Sequence, residues 1–406
     1  MIFLITYLLL LSFLVVVIFR IQKSYLSPML FVIFEFSTKT VLGVLYIGND
    51  FFKHPGYLDL LLSASIYILM LVASYGFGLQ FYRLKSFRRI FNLFKTNSLN
   101  FRQSSFRSFN MLSLLIAISC ISFLMMFVFG KFPLSYWLSD FRAGYQFARD
   151  GVGLFFVLYL LFLNISFIYL IYQYKLGVTP KWQLWFFGFI ILFLAILSGS
   201  KRVPVSLALF YLIFVEFYVY KISFLKMSFF ATFLLSIFVL IFVAAGNPIS
   251  NILGYFNYLP STLSIFDMIN TGEIVHTNGD LFKSNIWNYI PRFFYPEKPM
   301  IYSGSYITEI LSPGTVERGH FLGMLDYTAD YLDFGLLGVA LNAISKGLFI
   351  GVIQSMFLAN KKSFLLFVLF LSLYSPIMNY TPFLFFVIFL LLFASVNRVA
   401  NRIVFK

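Results

Sequence analysis

The sequence predicts an all-α polytopic membrane protein, and three observations carry that prediction. Of its 406 residues, 61% are hydrophobic and only 11% charged, more apolar surface than a soluble fold can hide; the mean hydropathy is +0.90. Apolar windows of about 20 residues, the length that crosses a bilayer core, recur along the chain. Between them, lysines and arginines gather in alternate loops, as the positive-inside bias requires.

Eleven windows qualify, at about 2–19, 28–48, 58–80, 110–130, 153–174, 183–199, 203–220, 228–245, 334–357, 363–377 and 382–397. The first lacks a basic leader and a small-residue cleavage site, so it reads as a span rather than a removed signal peptide. After the third comes a run with Arg83, Lys85, Arg88, Arg89, Lys95, Arg102 and Arg107 and no acid. Placing that run in the cytoplasm also places there Arg20 and Lys23, Lys175 and Lys181, Lys221 and Lys226, Lys361 and Lys362, and the basic C-terminus. The predicted orientation is therefore N-terminus out and C-terminus in. Topology and anionic lipid account for the net charge of +15, so no nucleic-acid partner is expected. Cys120 is the sole cysteine, which excludes a disulfide framework. With no phosphate-binding Gly-Lys loop, nucleophile elbow or zinc spacing, no cofactor or metal is expected.

The organisation that follows is spans one to eight in 1–245, one large exoplasmic loop in 246–333, and spans nine to eleven in 334–406. Long loops in membrane proteins commonly carry function, so the active site is expected there, on the outer face. Cations on that side run against the positive-inside bias and suit an anionic substrate. Arg142 and Arg149 lie between spans four and five, in local reach of Asp140 and Asp150. The link Gly199-Ser200-Lys201-Arg202 sets two cations between spans with almost no loop. A charge at a helix centre costs ~2.5–3.5 kcal/mol, so Lys201 and Arg202 either face a cavity or snorkel to headgroups; free backbone N–H groups beside them favour an anion site. The long loop adds Arg292, Lys298 and Arg318, with prolines stiffening Ile290-Pro291-Arg292 and Pro296-Glu297-Lys298-Pro299.

That loop closes on Asp326-Tyr327-Thr328-Ala329-Asp330-Tyr331-Leu332-Asp333. On a continuous helix, Asp326, Asp330 and Asp333 share one face for ~10 Å, a stripe leading into the ninth span. Asp330, mid-stripe, is the favoured general base, with Asp326, Tyr327, Tyr331, Asp333 and His320 as sugar contacts. The alternative is a solvated helix start with acids at the N-terminal dipole. His276 reads as a solvated loop residue. Within the spans, Glu35 and Lys39 stand i, i+4 and can pair; Glu216 and Lys346 either pair across helices or Lys346 snorkels.

Taken in order, Gly199-Ser200-Lys201-Arg202, Ile290-Pro291-Arg292 with Pro296-Glu297-Lys298-Pro299, and Asp330 to Gly338 ending Phe-Gly-Leu-Leu-Gly resemble the O-antigen polymerase (Wzy-type), or oligosaccharide repeat-unit polymerase, family. Arg142 and Gly153 also fit an Arg-to-Gly spacing found in some members, whereas Gly304 falls one residue late for Arg292. The resemblance implies a GT-C-like membrane-embedded glycosyltransferase of the bacterial inner membrane acting on its periplasmic face. Its substrate would be an undecaprenyl-pyrophosphate-linked oligosaccharide, with a chain-length regulator and a flippase as partners. Arg142, Lys201, Arg202, Arg292, Lys298 and Arg318 would clamp the pyrophosphate, with Arg142 and Arg292 acting beside Asp330 in catalysis and no metal. A lipid-linked oligosaccharide flippase is the rival from another class, but it needs charges within many spans and mostly short loops. An O-antigen ligase, relying on a loop histidine such as His320, is the sibling alternative.

Overall fold

A computed structural model describes residues 2–81, 105–130, 132–139, 152–200, 202–244, 258–288, 304–316, 321–361 and 364–374, with isolated positions between 245 and 303. Every regular element among them is helical. The helices are α1 (Ile2–Gln22), α2 (Pro28–Ile47), α3 (Tyr57–Phe81), α4 (Ser105–Phe129), α5 (Leu134–Ser139), α6 (Gly153–Lys175), α7 (Lys181–Leu197), α8 (Arg202–Phe214), α9 (Phe224–Ala244), α10 (Leu259–Asn270), α11 (Asp280–Ser284), α12 (Gly304–Leu311), α13 (Thr328–Ala359) and α14 (Phe364–Ser372). A π-helical turn, Val215–Val219, continues α8. Helices thus occupy ten of the eleven expected spans; the last, 382–397, lies outside the described residues. Six of them (α1 to α4, α6 and α13) are long and apolar enough to cross a membrane, and α7, α8 and α9 contain shorter apolar stretches. The chain is an all-helical polytopic membrane protein.

It divides into two compact units. One comprises 82–220, 290–297 and 353–406. There α4 lies along α6, which also meets α7, α8 and α14. Three buried polar side chains here find main-chain partners, as an apolar environment favours: Ser119 Oγ donates to Tyr159 O at 2.9 Å, Trp137 Nε1 to Leu197 O at 2.7 Å, and the Tyr159 hydroxyl to Leu194 O. The abundance of phenylalanine is used here for ring packing, with Phe357 and Phe370 stacked at 4.1 Å and Phe217 edge-on to Phe370 at 4.9 Å.

The other unit comprises 1–81, 221–289 and 298–352. Its first three helices pack on one another, and α10 lies against α2 and α3. α13 crosses α3 at backbone contact. A Cβ on Gly347 would stand 2.1 Å from Ser74 Oγ, and one on Gly351 would stand 2.5 Å from Tyr75 O. Gly347 and Gly351 therefore form a Gly-x-x-x-Gly face, the spacing that lets two membrane helices meet where lipid and protein are equally apolar. α10 is anchored on its neighbours: Leu259, at its start, sits against Gly43 near the end of α2, and Asp267, near its own end, accepts from Gly56 N at 2.7 Å just before α3.

Candidate active site

The Asp-rich entry to the ninth span folds differently from the stripe its spacing predicts. α13 breaks at Gly335, whose φ of 60° and ψ of −147° no helix contains, and glycine alone adopts such a backbone without strain. Beyond the break the chain turns back on itself. Asn342 Nδ2 donates to Asp330 Oδ2 at 2.5 Å, and Lys346 Nζ donates to Asp326 Oδ2 at 2.7 Å. In an unbroken helix residues 12 and 20 apart stand ~18 and ~30 Å apart. Both pairs are centred on Leu336, so 326–334 forms an arm antiparallel to 338–346. Asp330 O lies 2.1 Å from where a Gly338 Cβ would be. The Phe-Gly-Leu-Leu-Gly run is therefore a helical hairpin turn: Gly335 makes the reversal and Gly338 admits the arm.

This hairpin sends the three carboxylates to three destinations. Asp326 reaches the middle of the helices, bonding Lys346 and lying 3.6 Å from Lys39 Nζ, which in turn holds Glu35 at 2.7 Å. The predicted Glu35–Lys39 pair is present, and Lys346 has a partner the sequence did not suggest. The Lys39 ammonium also stands 4.8 Å from the Tyr258 ring, a cation–π contact. Burial opposes the Asp326 charge, but the Lys346 and Lys39 ammoniums outweigh it and hold its carboxyl below the usual range. With a lowered folded-state pKa, the pair's stabilisation is present above the ordinary carboxylate range and is lost as pH falls through the lowered value.

Asp333 is 2% exposed and its carboxylate is filled. Oδ1 accepts from Thr277 Oγ1 at 2.5 Å, Gly279 N at 2.8 Å and Leu281 N at 3.3 Å; Oδ2 accepts from Phe282 N at 2.7 Å. It caps α11 from a distance of some fifty residues in sequence, satisfying N–H groups that a helix start leaves open. Asp333, expected to contact a sugar, thus spends both oxygens on the protein's own donors. Tyr327 is wholly buried, 5.7 Å from the Phe36 ring and 5.4 Å from that of Tyr67. Tyr331 is 6% exposed and stacks on Phe266 at 3.7 Å, so its ring is committed to the joint between the arm and α10. The same joint is bonded by Thr262 and Thr328, whose hydroxyls lie 2.9 Å apart. Replacing Asp333 by Ala would strand several buried N–H donors at ~1–3 kcal/mol each. We expect a clear loss of thermal stability and faster hydrogen exchange confined to 277–282.

Asp330 is thus the one acid of the trio that is neither ion-paired among the described residues nor sealed by a set of donors. It is half-buried, with one oxygen held by Asn342. A carboxylate aimed by a single amide, on a rigid hairpin, has the geometry a general base requires.

Sequence reasoning missed Asn342, which lies in the apolar span, and a second carboxylate-held group. His54 Nδ1 lies 2.7 Å from Asp267 Oδ2, in the connection between α2 and α3. The two are 213 positions apart, and no spacing rule could join them. His276 is not simply solvated: it is half-buried, its Nδ1 3.2 Å from Leu332 O and its ring 5.7 Å from that of Tyr331.

The predicted cations fall largely outside the described residues: Arg142, Lys201, Arg292, Lys298 and Arg318 do, as does His320, and of Arg202 only the backbone, opening α8, is described. In the link before it, Gly199 N donates to Ile196 O at 3.1 Å and Ser200 N to Ser198 Oγ at 3.2 Å. Those N–H groups are used locally, so they are not the free anion donors the sequence promised. Among the described residues, no three His, Cys, Asp or Glu side chains come together to hold a metal ion.

No family model and no solved structure matches the chain. Two proteins named O-antigen polymerase, from Salmonella typhimurium and Salmonella typhi, are each 29% identical to it over 243 residues. The match takes in 57% of this chain and 56% of each relative, so it spans little more than half of their length. The polytopic helical chain that carries the Asp330 hairpin is similar to O-antigen polymerases.

Proposed function

We propose that the chain is a polymerase of lipid-linked oligosaccharide repeat units. In this reading it moves a growing glycan from undecaprenyl pyrophosphate to the non-reducing sugar of a second lipid-linked unit, on the periplasmic face of the bacterial inner membrane. The observation that carries the reading is the likeness to two O-antigen polymerases. The Asp330 hairpin supplies chemistry that agrees with it.

The reaction needs two electrostatic tasks. The acceptor hydroxyl oxygen attacks the anomeric carbon of the donor, the carbon–oxygen bond to the diphosphate breaks, and lipid pyrophosphate leaves with the electron pair. Asp330 takes the hydroxyl proton and later releases it to water. Arg142, Arg202, Arg292 and Lys298, supported by Lys201 and Arg318, stabilise the leaving diphosphate, a task fixed cations perform without a metal. The fold is GT-C-like in this proposal, with N-terminus out, C-terminus in, 246–333 on the outer side, and a chain-length regulator and a flippase as partners.

Purified protein in nanodiscs, given synthetic lipid-pyrophosphate repeat units in the presence of chelator, is expected to yield a glycan ladder on gels. Arg292→Ala is expected to erase it while the protein's melting transition is retained. No ladder from wild type, with movement of the same lipid between liposome leaflets, would overturn the enzyme in favour of a flippase. Transfer of finished glycan to lipid A, without growth, would instead identify a ligase.

A further inference from the structure

Beside the hairpin turn, the segment held by Asp333 walls an open groove of about 570 Å³, within the size range of ligand sites. Its polar lining is Glu273, His276, Thr277, Asn278 and Asp280, with Tyr306 of α12, 39% exposed, beside them. We propose that this groove is a saccharide subsite. It binds the sugar portion of a lipid-linked substrate and not its diphosphate.

The chemistry of the lining makes that choice. Pyranose rings present C–H faces that stack on an aromatic side chain, and hydroxyl groups that donate to carboxylates and to amide oxygens. Tyr306 offers the first; Glu273, Asp280 and Asn278 offer the second. Part of that capacity is already in use: Thr271 Oγ1 donates to Glu273 Oε1 at 3.3 Å and Lys283 to Asp280 Oδ1 at 3.1 Å. Each carboxylate keeps further lone pairs for a ligand. No lysine or arginine lines the groove among the described residues, and the nearby Lys283 ammonium is already paired with Asp280, so a diphosphate there would face two carboxylates.

The groove is also held in shape. Leu332, on the arm that carries Asp330, forms part of its wall, and Leu332 O receives both Thr277 N, at 3.0 Å, and the His276 ring. Asp333 O receives Asn278 N at 3.0 Å. The stretch 276–278 is therefore fixed to the arm, as a recognition surface built on rigid elements requires. The apolar floor beneath is the cluster of Ile265, Leu281, Ile307 and Leu332.

This inference rests on the polymerase reading for the identity of the glycan, and its test separates the two. The probe is lipid-free, phosphate-free oligosaccharide of one to three repeats, released by mild acid from the source organism's surface polysaccharide. Saturation-transfer NMR on the full chain in nanodiscs is expected to show binding to wild type. Tyr306→Ala and Glu273→Gln should each weaken it about tenfold or more. Tyr306→Phe, which keeps the ring, should retain it. In the polymerase assay the first two should raise the acceptor KM more than they lower kcat. Inorganic pyrophosphate should not displace the fragment. Unchanged binding in both variants, or displacement by pyrophosphate, would overturn the subsite. Fragment binding that depends on Tyr306 without any ladder would leave the subsite standing and sink the polymerase.

Discussion

Asp330→Asn is expected to lower the rate of glycan elongation by about 10²–10⁴-fold, the usual worth of a positioned general base, while leaving the protein folded. The substitution removes the basic oxygen pair and keeps the shape. The amide of Asn342, 2.5 Å from Oδ2, would still meet a carbonyl oxygen. Thermal melting should therefore change little, and lipid-linked substrate should still bind. Single-turnover measurement of transfer, with donor prebound, separates that outcome from a loss of affinity. Asn342→Ala is expected to be milder, since it removes the aim of the carboxylate and not the base. Elongation at the wild-type rate in Asp330→Asn would transfer the base assignment elsewhere, with the His54–Asp267 pair and His320 next to be tested. The choice of Asp330 over its neighbours is made by the fold, because Asp326 is paired with two lysines and Asp333 is occupied by four donors.

Much of this fold was readable because the bilayer leaves few alternatives. Twenty apolar residues in a row can only satisfy their backbone as a helix, and helices stand at every described window. The Glu35–Lys39 pair was readable for the same reason, since i, i+4 spacing within one helix sets the distance. The acid stripe failed because its argument assumed a helix that already includes Asp326 and runs straight into the ninth span, whereas the helix begins at Thr328 and breaks at Gly335. Two glycines three apart after a Phe could have warned of a turn, yet glycine is common in membrane helices and most of them stay straight. The partners of Asp326, Asp333 and His54 were beyond reach for a different reason. They lie 20 to 287 positions away, and such contacts follow from how helices pack, which single-sequence periodicity does not encode. Tyr327 and Tyr331 show the same limit: a tyrosine beside an acid reads as a sugar platform, and here both rings fill the joint between the arm and its neighbours.

Gly338→Val is expected to damage the fold by prising the two arms of the hairpin apart. The Cβ it adds would fall 2.1 Å from Asp330 O and 2.9 Å from Asp330 C, with Phe334 Cβ at 3.1 Å. Two of these are backbone atoms of the opposing arm, so no side-chain rotation relieves the clash. The arm must move out, and it takes with it the bond from Asn342 to Asp330 and the pairing of Lys346 with Asp326. Overpacking of this kind costs about 1–3 kcal/mol by itself. A lysine left without its acid in an apolar setting adds to that cost. Gly338→Ala carries the same Cβ, so it should be nearly as harmful; Gly335→Ala, at φ 60°, should be harmful through backbone strain instead of collision. The measurement is the melting midpoint in nanodiscs together with cross-linking of a cysteine pair placed at Asp326 and Lys346, with Cys120 replaced by serine. Rapid cross-linking in the wild-type background, slowed severalfold by Gly338→Val, would establish the hairpin. Equal cross-linking in both, or none in either, would show that 326–334 does not lie along 338–346, and the reason for singling out Asp330 would fall with it.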